Sequence, residues 1–238
     1  MRWIRKKSEP VELTEWRALN SKDVNFSYSL MRQDRTVTKA VTESLLEEQG
    51  WLCAYTGLRI DGYITPAEPS RCGCHIEHIK PQDHCNTIET VTYTNMVACY
   101  PGPNPTSGTP YGAERKGNWP DPSEQHLFVS PLDSSCETRL LFNLRGEIKS
   151  NDGDSAAKTT IEKLGLDHDE LIAFRKAAIQ GTLGKDNNLP IKDARARLKG
   201  IKSQQSGQLE PFCFVLIQAL EKHISRLEAI AKSKRAKK

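Results

Sequence analysis

Residues 71–82 read RCGCHIEHIKPQ, and His75, Glu77 and His78 fall within four positions of one another, directly after Cys74 and shortly before Pro81. The segment CHIEHIKP reads as a strand that the proline ends. Alternate residues of a strand share a face, so His75 and Glu77 point one way and His78 the other. A carboxylate and an imidazole adjacent in sequence can then divide two tasks. Glu77 offers a hard oxygen to a divalent cation. His78, with an unperturbed pKa of about 6.5, can take a proton from water at neutral pH. Phosphodiester hydrolysis needs both, a base for the attacking water and a metal ion on the phosphate charge and leaving oxygen. His75 is placed to orient His78, to bind metal or to touch phosphate. The plainer alternative is three solvated polar residues on an edge strand.

Upstream, TVTKAVTESLLEEQG (36–50) predicts an amphipathic helix with Val37, Val41, Leu45 and Leu46 on one face and Gly50 as its stop. WLCAYTGLRI (51–60) predicts a hairpin or knuckle about its Thr-Gly turn. Downstream, YTNMVAC (93–99) places Asn95 at the start of a helix, where its amide can bond the preceding loop and fix the histidine strand. Residues 101–125 are rich in Pro, Gly, Asn and Ser and form a long loop, functional or disordered. That loop contains YGAERKGNW, with Glu114, Arg115 and Lys116. HLFVSPLD and TRLLFNLRGEIKS predict two more strands, with a turn near Gly146. After SNDGDS the pattern becomes helical: two helices within 155–180 with Ser155 and Asp167 as N-caps, one over 190–204, and one from Pro211 to about Lys234. The fold class is therefore α+β, with a mixed part at 1–150 and a helical part at 151–238 that is either a docking element or ordinary packing.

At 238 residues the chain has room for one large domain or two small ones. No apolar run approaches the ~20 residues of a membrane span, and MRWIRKKSEP lacks the apolar stretch of a secretory signal. A soluble, cytoplasmic protein with no membrane contact is expected. In that reducing compartment the seven cysteines read as metal ligands or buried apolar groups. Cys213, in FCFVLI, reads as core. The net charge of +4 is uneven: Arg2, Arg5, Lys6 and Lys7 at one end and Lys232, Lys234, Arg235, Lys237 and Lys238 at the other leave −5 between them. Both tails either track phosphate or merely keep the chain in solution. A middle region of that sign needs a partner to hold nucleic acid firmly.

The order of these segments, a strand with Glu-His, a loop, an asparagine and then a polar cluster, resembles the HNH, or ββα-metal, nucleases. It resembles most the HNH partner proteins of Septu-type and retron-associated anti-phage systems. The likeness is carried by MRWIRKKSEPVELTEWR, LCAYTGLRI, CHIEHIKPQ, YTNMVACYP, YGAERKGNW and SPLDSSCETRLLFNLRGEI, from residue 1 to about 150. Residues 151–238 carry no motif of that kind. The resemblance implies an HNH core with an N-terminal helix and a C-terminal helical region. Within it Glu77 takes a metal-ligand place, His78 the general base and Asn95 the middle position, while His75 falls where some relatives have an auxiliary acidic residue. The third histidine is missing, since none occurs between His84 and His126. Glu114 is the best chemical substitute, with Asn118 the alternative, for Mg²⁺ or a similar ion. Lys116, beside Arg115, is the expected phosphate contact.

Many relatives also carry a structural zinc on two cysteine pairs. Here Cys53, Cys74, Cys99 and Cys136 are the thiols left to hold one, and no two have a C-x-x-C spacing; the alternative is apolar thiol packing. The pair at 72–74 is too tight for both sulfurs to serve. In relatives the partner is an ABC/SMC-like ATPase, joined in retron versions by a reverse transcriptase with its attached DNA. These restrain a nuclease that acts on DNA or on a structured RNA such as tRNA. A decayed HNH fold that binds nucleic acid or the ATPase without cutting is the competing expectation.

Overall fold

The structure is a computed structural model that describes residues 1–60, 73–102, 108–204 and 207–236. The expectations placed on Cys72, on 103–107 of the long loop and on Lys237 and Lys238 lie outside the described residues, as does the side chain of Arg235. The chain opens with three helices, α1 (Val11–Asn20), α2 (Tyr28–Gln33) and α3 (Arg35–Gln49). In α3 the Asp34 carboxylate caps the N–H groups of Thr36 and Val37, Gly50 ends the helix at φ 63°, and Val37, Val41, Leu45 and Leu46 form the buried face. Residues 51–60 make the expected hairpin. The Cys53 N–H bonds Leu58 O at 2.8 Å, and the Ile60 N–H bonds Trp51 O at 2.9 Å.

Strands β1 (His75–His78) and β2 (Met96–Cys99) then pair antiparallel, His75 opposite Cys99 and His78 opposite Met96. Between them run a 3-10 turn at Gln82–His84, helix α4 (Thr87–Thr90) and a second 3-10 turn at Tyr93–Asn95. The helix expected after Asn95 is therefore a strand. Met96–Cys99 is buried throughout, and pairing with β1 satisfies a backbone that four residues could not satisfy as a helix. The long loop contains helix α5 (Ala113–Lys116) and a 3-10 turn at Pro122–Leu127.

HLFVSPLD is not a strand: the Val129 N–H bonds the Thr160 hydroxyl at 2.8 Å, so a helix side chain takes the place of a neighbouring strand. TRLLFNLRGEIKS turns near Gly146 as expected, running through α6 (Cys136–Arg139) into a hairpin of β3 (Leu140–Phe142) and β4 (Ile148–Ser150).

Four helices complete the fold: α7 (Ser155–Leu164), α8 (Asp169–Leu183), α9 (Ile191–Ser203) and α10 (Cys213–Ala236). The N-caps of α7 and α8 are Asp154 and His168 rather than Ser155 and Asp167. Asp154 wins because its carboxylate serves two partners, the Ala157 N–H at 2.9 Å and the Arg139 guanidinium at 2.6 and 2.7 Å. The described residues form an α+β fold, mostly helical, with two small antiparallel sheets. No helix among them is long and apolar enough to cross a membrane.

Residue 151 marks a change in the kind of structure, yet one apolar core crosses it, with Leu45, Val97 and Leu140 in the same cluster as Leu164, Ile179 and Leu216. Backbone bonds also cross it: Leu209 N–H to Gly50 O at 3.0 Å, Phe212 N–H to Gly57 O at 3.2 Å and Gly112 N–H to Leu164 O at 2.7 Å. At the hairpin turn Gly57 has φ 76°, and a Cβ there would lie 2.6 Å from Phe214 Cε1. Gly57→Ala is therefore expected to lose about 2–3 kcal/mol through left-handed strain and displacement of the Phe214 ring. Urea denaturation monitored by circular dichroism measures this, and an unchanged midpoint would contradict it.

Candidate active site

β1 carries the site, and its pleat sorts the side chains. His75 and Glu77 share a face, with Nε2 and Oε2 3.8 Å apart. His75 Nδ1 lies 2.7 Å from Pro101 O and donates to it, so Nε2 is the ring nitrogen that faces the carboxylate. Burial disfavours the charged form of His75, but the Glu77 carboxylate and the Pro101 carbonyl outweigh it and raise the pKa above the ordinary value. On the other face His78 is 3% exposed, with Tyr28 edge-on to its ring at 4.6 Å between centroids. His78 Nε2 lies 2.8 Å from Thr90 O, so the neutral ring donates there and keeps Nδ1 as the acceptor. Burial, with Lys116 adding to it, lowers the His78 pKa against the opposing effect of the Thr90 carbonyl and Glu77. The shift favours the neutral ring.

The loop between the strands sets this geometry. Asn95 does what its sequence position predicted: its Oδ1 accepts from the Lys80 N–H at 2.8 Å, and its Nδ2 donates to Lys80 O at 3.2 Å. The Ile79 N–H bonds Asn95 O at 2.9 Å, so both ends of the loop close on one residue. A capping box of Asn86 and Glu89 starts α4, whose last residue presents the Thr90 carbonyl to His78.

The third element is α5, and it brings an ammonium rather than a third metal donor. Lys116 is 3% exposed, and its Nζ donates to Glu77 Oε1 at 2.8 Å and to His78 O at 2.9 Å. Burial works against ionisation of Glu77, but His75 and Lys116 reverse this and hold its pKa below the usual carboxylate value. Lys116 therefore sits beside the histidine strand as expected, but as a buried partner of Glu77 rather than an exposed phosphate contact. Arg115 turns away, its Nε donating to Glu162 O at 3.2 Å. Glu114 is exposed and accepts from the Thr109 N–H, and Asn118 bonds Asp83. Neither alternative third ligand is joined to Glu77.

Among the described residues, no three His, Cys, Asp or Glu side chains are grouped to hold a metal ion. Two of the four expected zinc thiols do meet. Cys53 resists ionisation through burial, yet the Cys99 thiol, the Thr56 hydroxyl and the N–H groups of Thr56 and Tyr100 converge on its sulfur and bring its pKa down to about 5. Cys74 is buried at the head of β1, whereas Cys136 lies in the field of the Met1 amino group and Glu137. Among the described residues these four thiols do not come together as one group.

The sequence did not mark Tyr28, the Thr90 carbonyl or Gln49 as parts of the site's frame. Gln49 is buried; its Nε2 donates to Leu52 O at 2.9 Å and Ala98 O at 2.8 Å, and its Oε1 accepts from the Ala98 N–H at 2.7 Å. No protein-family model matches the chain, and no curated protein matches it.

Removing one partner of a buried ion pair strands the other. Lys116→Ala is expected to cost about 3 kcal/mol by leaving the Glu77 carboxylate unpaired. Glu77→Gln with Lys116→Met is expected to cost less than the two single changes added together. A double-mutant cycle by chemical denaturation measures the coupling, and additive costs would show that the pair is not coupled.

Proposed function

We propose that the chain is a metal-dependent nuclease of the HNH type, the effector of a Septu-type or retron anti-phage system with an ATPase partner. One observation carries the reading. Two histidines flank Glu77 on one strand, and each is pinned through one ring nitrogen to a backbone carbonyl, His75 to Pro101 and His78 to Thr90. Such pinning fixes the tautomer and leaves the other nitrogen's lone pair for chemistry. Two antiparallel strands followed by a short helix that reaches back to the Glu-His pair support the same reading.

In this mechanism His78, neutral and oriented by Thr90, takes the proton from the attacking water at Nδ1. Asn95 clamps the Lys80 peptide and so holds the loop that presents the Thr90 carbonyl. Lys116 fixes one Glu77 oxygen and adds positive charge near the place where phosphate charge develops. A divalent ion would be held by Glu77 Oε2 and His75 Nε2, which lie 3.8 Å apart. Such an ion supplies Lewis-acid stabilisation of the phosphate and the leaving oxygen. DNA and structured RNA such as tRNA offer the same phosphodiester to these groups.

A second reading is favoured by a specific feature. The buried Lys116 already neutralises Glu77, and His78 is almost wholly enclosed. Both suit a decayed HNH fold that binds nucleic acid or the ATPase without cutting.

The two readings part on one experiment. The chain is expressed with its ATPase and other system components, cells are challenged with phage, and total DNA and small RNA are compared between wild type and His78→Ala. The nuclease reading expects fragments with wild type, reduced about 10²–10⁴-fold in rate by the substitution. Intact nucleic acids, with protection retained in His78→Ala, would establish the binding module.

A further inference from the structure

The cations expected to meet phosphate at the site, and Lys6 of the basic N-terminal run, are engaged within the fold. Lys116 is buried against Glu77, Arg115 bonds Glu162 O, and Lys6 is held by Glu48 at 2.5 Å and Met96 O at 2.9 Å. Positive charge is concentrated elsewhere. Residues 185–238 contain thirteen basic and five acidic residues, a net +8, while residues 1–184 sum to −4. Within that segment α9 presents Lys192, Arg195, Lys199 and Lys202, all exposed and spaced three or four residues apart. They form one stripe about 15 Å long, one residue, or about 100°, around from the apolar seam. That seam is Ala194, Leu198 and Ile201, through which α9 packs on α10.

The two helices run antiparallel in a register set by Arg195–Glu228 and Lys202–Glu221, both 2.6 Å. Lys192 then comes level with residue 231, beside the exposed Lys232 and Lys234. Among the described residues Lys192, Lys199, Lys232 and Lys234 have no carboxylate partner. The two bridged cations are in exposed pairs, worth roughly 0–1 kcal/mol each, and can exchange a carboxylate for a phosphate at little cost.

We propose that the α9 stripe and the basic end of α10 form a binding surface for the phosphate backbone of double-stranded nucleic acid, separate from the His-Glu strand. A linear row of like charges complements the linear charge of a duplex, about one phosphate per 1.7 Å of axis. The surface lacks the marks of other polyanions. Ile230 is the only exposed large apolar residue on either helix, so there is no apolar face to enter a membrane. No exposed aromatic on these helices offers a platform for single-stranded bases. Contacts of this kind read backbone charge and carry no sequence preference.

The test is independent of hydrolysis. The full chain is titrated against a fluorescein-labelled 20-bp DNA duplex, with EDTA present, by fluorescence anisotropy over a range of KCl. A matching RNA duplex, single strand and polyglutamate are the other ligands. Both duplexes are expected to bind alike, and log Kobs to fall with log[KCl] with a slope of about −3 to −4, roughly −0.9 per phosphate contact. Lys192→Glu with Lys199→Glu is expected to reduce the slope by about 2 units and weaken binding about 60-fold near 0.1 M salt. Lys149→Glu with Lys158→Glu, an equal charge change on β4 and α7, is expected to have a much smaller effect. Circular dichroism confirms that each variant folds. Equal weakening by both double variants, absence of duplex binding by wild type at low salt, or polyglutamate binding as tight as the duplex would each overturn the proposal. Loss of cleavage with binding retained would count against the nuclease reading alone.

Discussion

A ribbon of two four-residue strands cannot hold itself together in water, and the functional geometry of this protein is built on such a ribbon. β1 and β2 are held from outside by two buried polar side chains. Gln49, at the end of α3, completes the hydrogen bonding of Ala98 on β2 with both halves of its amide. Lys116, at the end of α5, completes Glu77 and His78 O on β1. An unsatisfied group in either place would carry the full desolvation cost of a buried polar atom. The ribbon is thus fixed in register by groups that are expensive to leave unpaired, and the two histidines inherit that rigidity.

The same constraint explains why the helical part belongs to the fold. α3 ends at Gly50, and the hairpin after it turns at Gly57; both glycines are roofed by side chains from the start of the last helical segment, Leu209 over Gly50 and Phe214 over Gly57. The hairpin in turn backs the ribbon, through Ala54 N–H to Ala98 O at 3.1 Å and the Cys53–Cys99 thiol contact. Packing therefore runs from α10 through the hairpin to the strand that opposes His75. The zinc implied by the family resemblance would have cross-linked the same hairpin to the same strand end. Here two thiols, the Thr56 hydroxyl and backbone N–H groups make that junction.

Much of this was legible before the coordinates. The apolar periods of α3, α9 and α10, the strand alternation of His75 and Glu77, and the loop-clamping role of Asn95 all followed from local pattern. Met96–Cys99 did not, because a four-residue apolar run has no period to separate strand from helix. The turn near Gly146 within TRLLFNLRGEIKS is legible as well, and it separates β3 from β4. Asp154 and Ser155 are both good caps in adjacent positions, and only the distant Arg139 decides between them. The burial of Lys116 and Gln49 had no local signature at all. Lysine and glutamine are ordinarily exposed, and what overrides that tendency is a partner tens of residues away.

Lys116 is also where a metal, on the proposed function, would compete with the fold. A carboxylate has only so much charge to share. An ammonium 2.8 Å from one oxygen of Glu77 weakens the attraction of that carboxylate for a dication, while it steadies the other oxygen opposite His75. A cation held by Glu77 and His75 would therefore bind loosely on protein donors alone and gain its remaining ligands from the phosphate it acts on. Affinity for metal and affinity for substrate would then be coupled, each ligand improving the site for the other. On the proposed function, that arrangement would keep the centre weakly loaded until nucleic acid arrives.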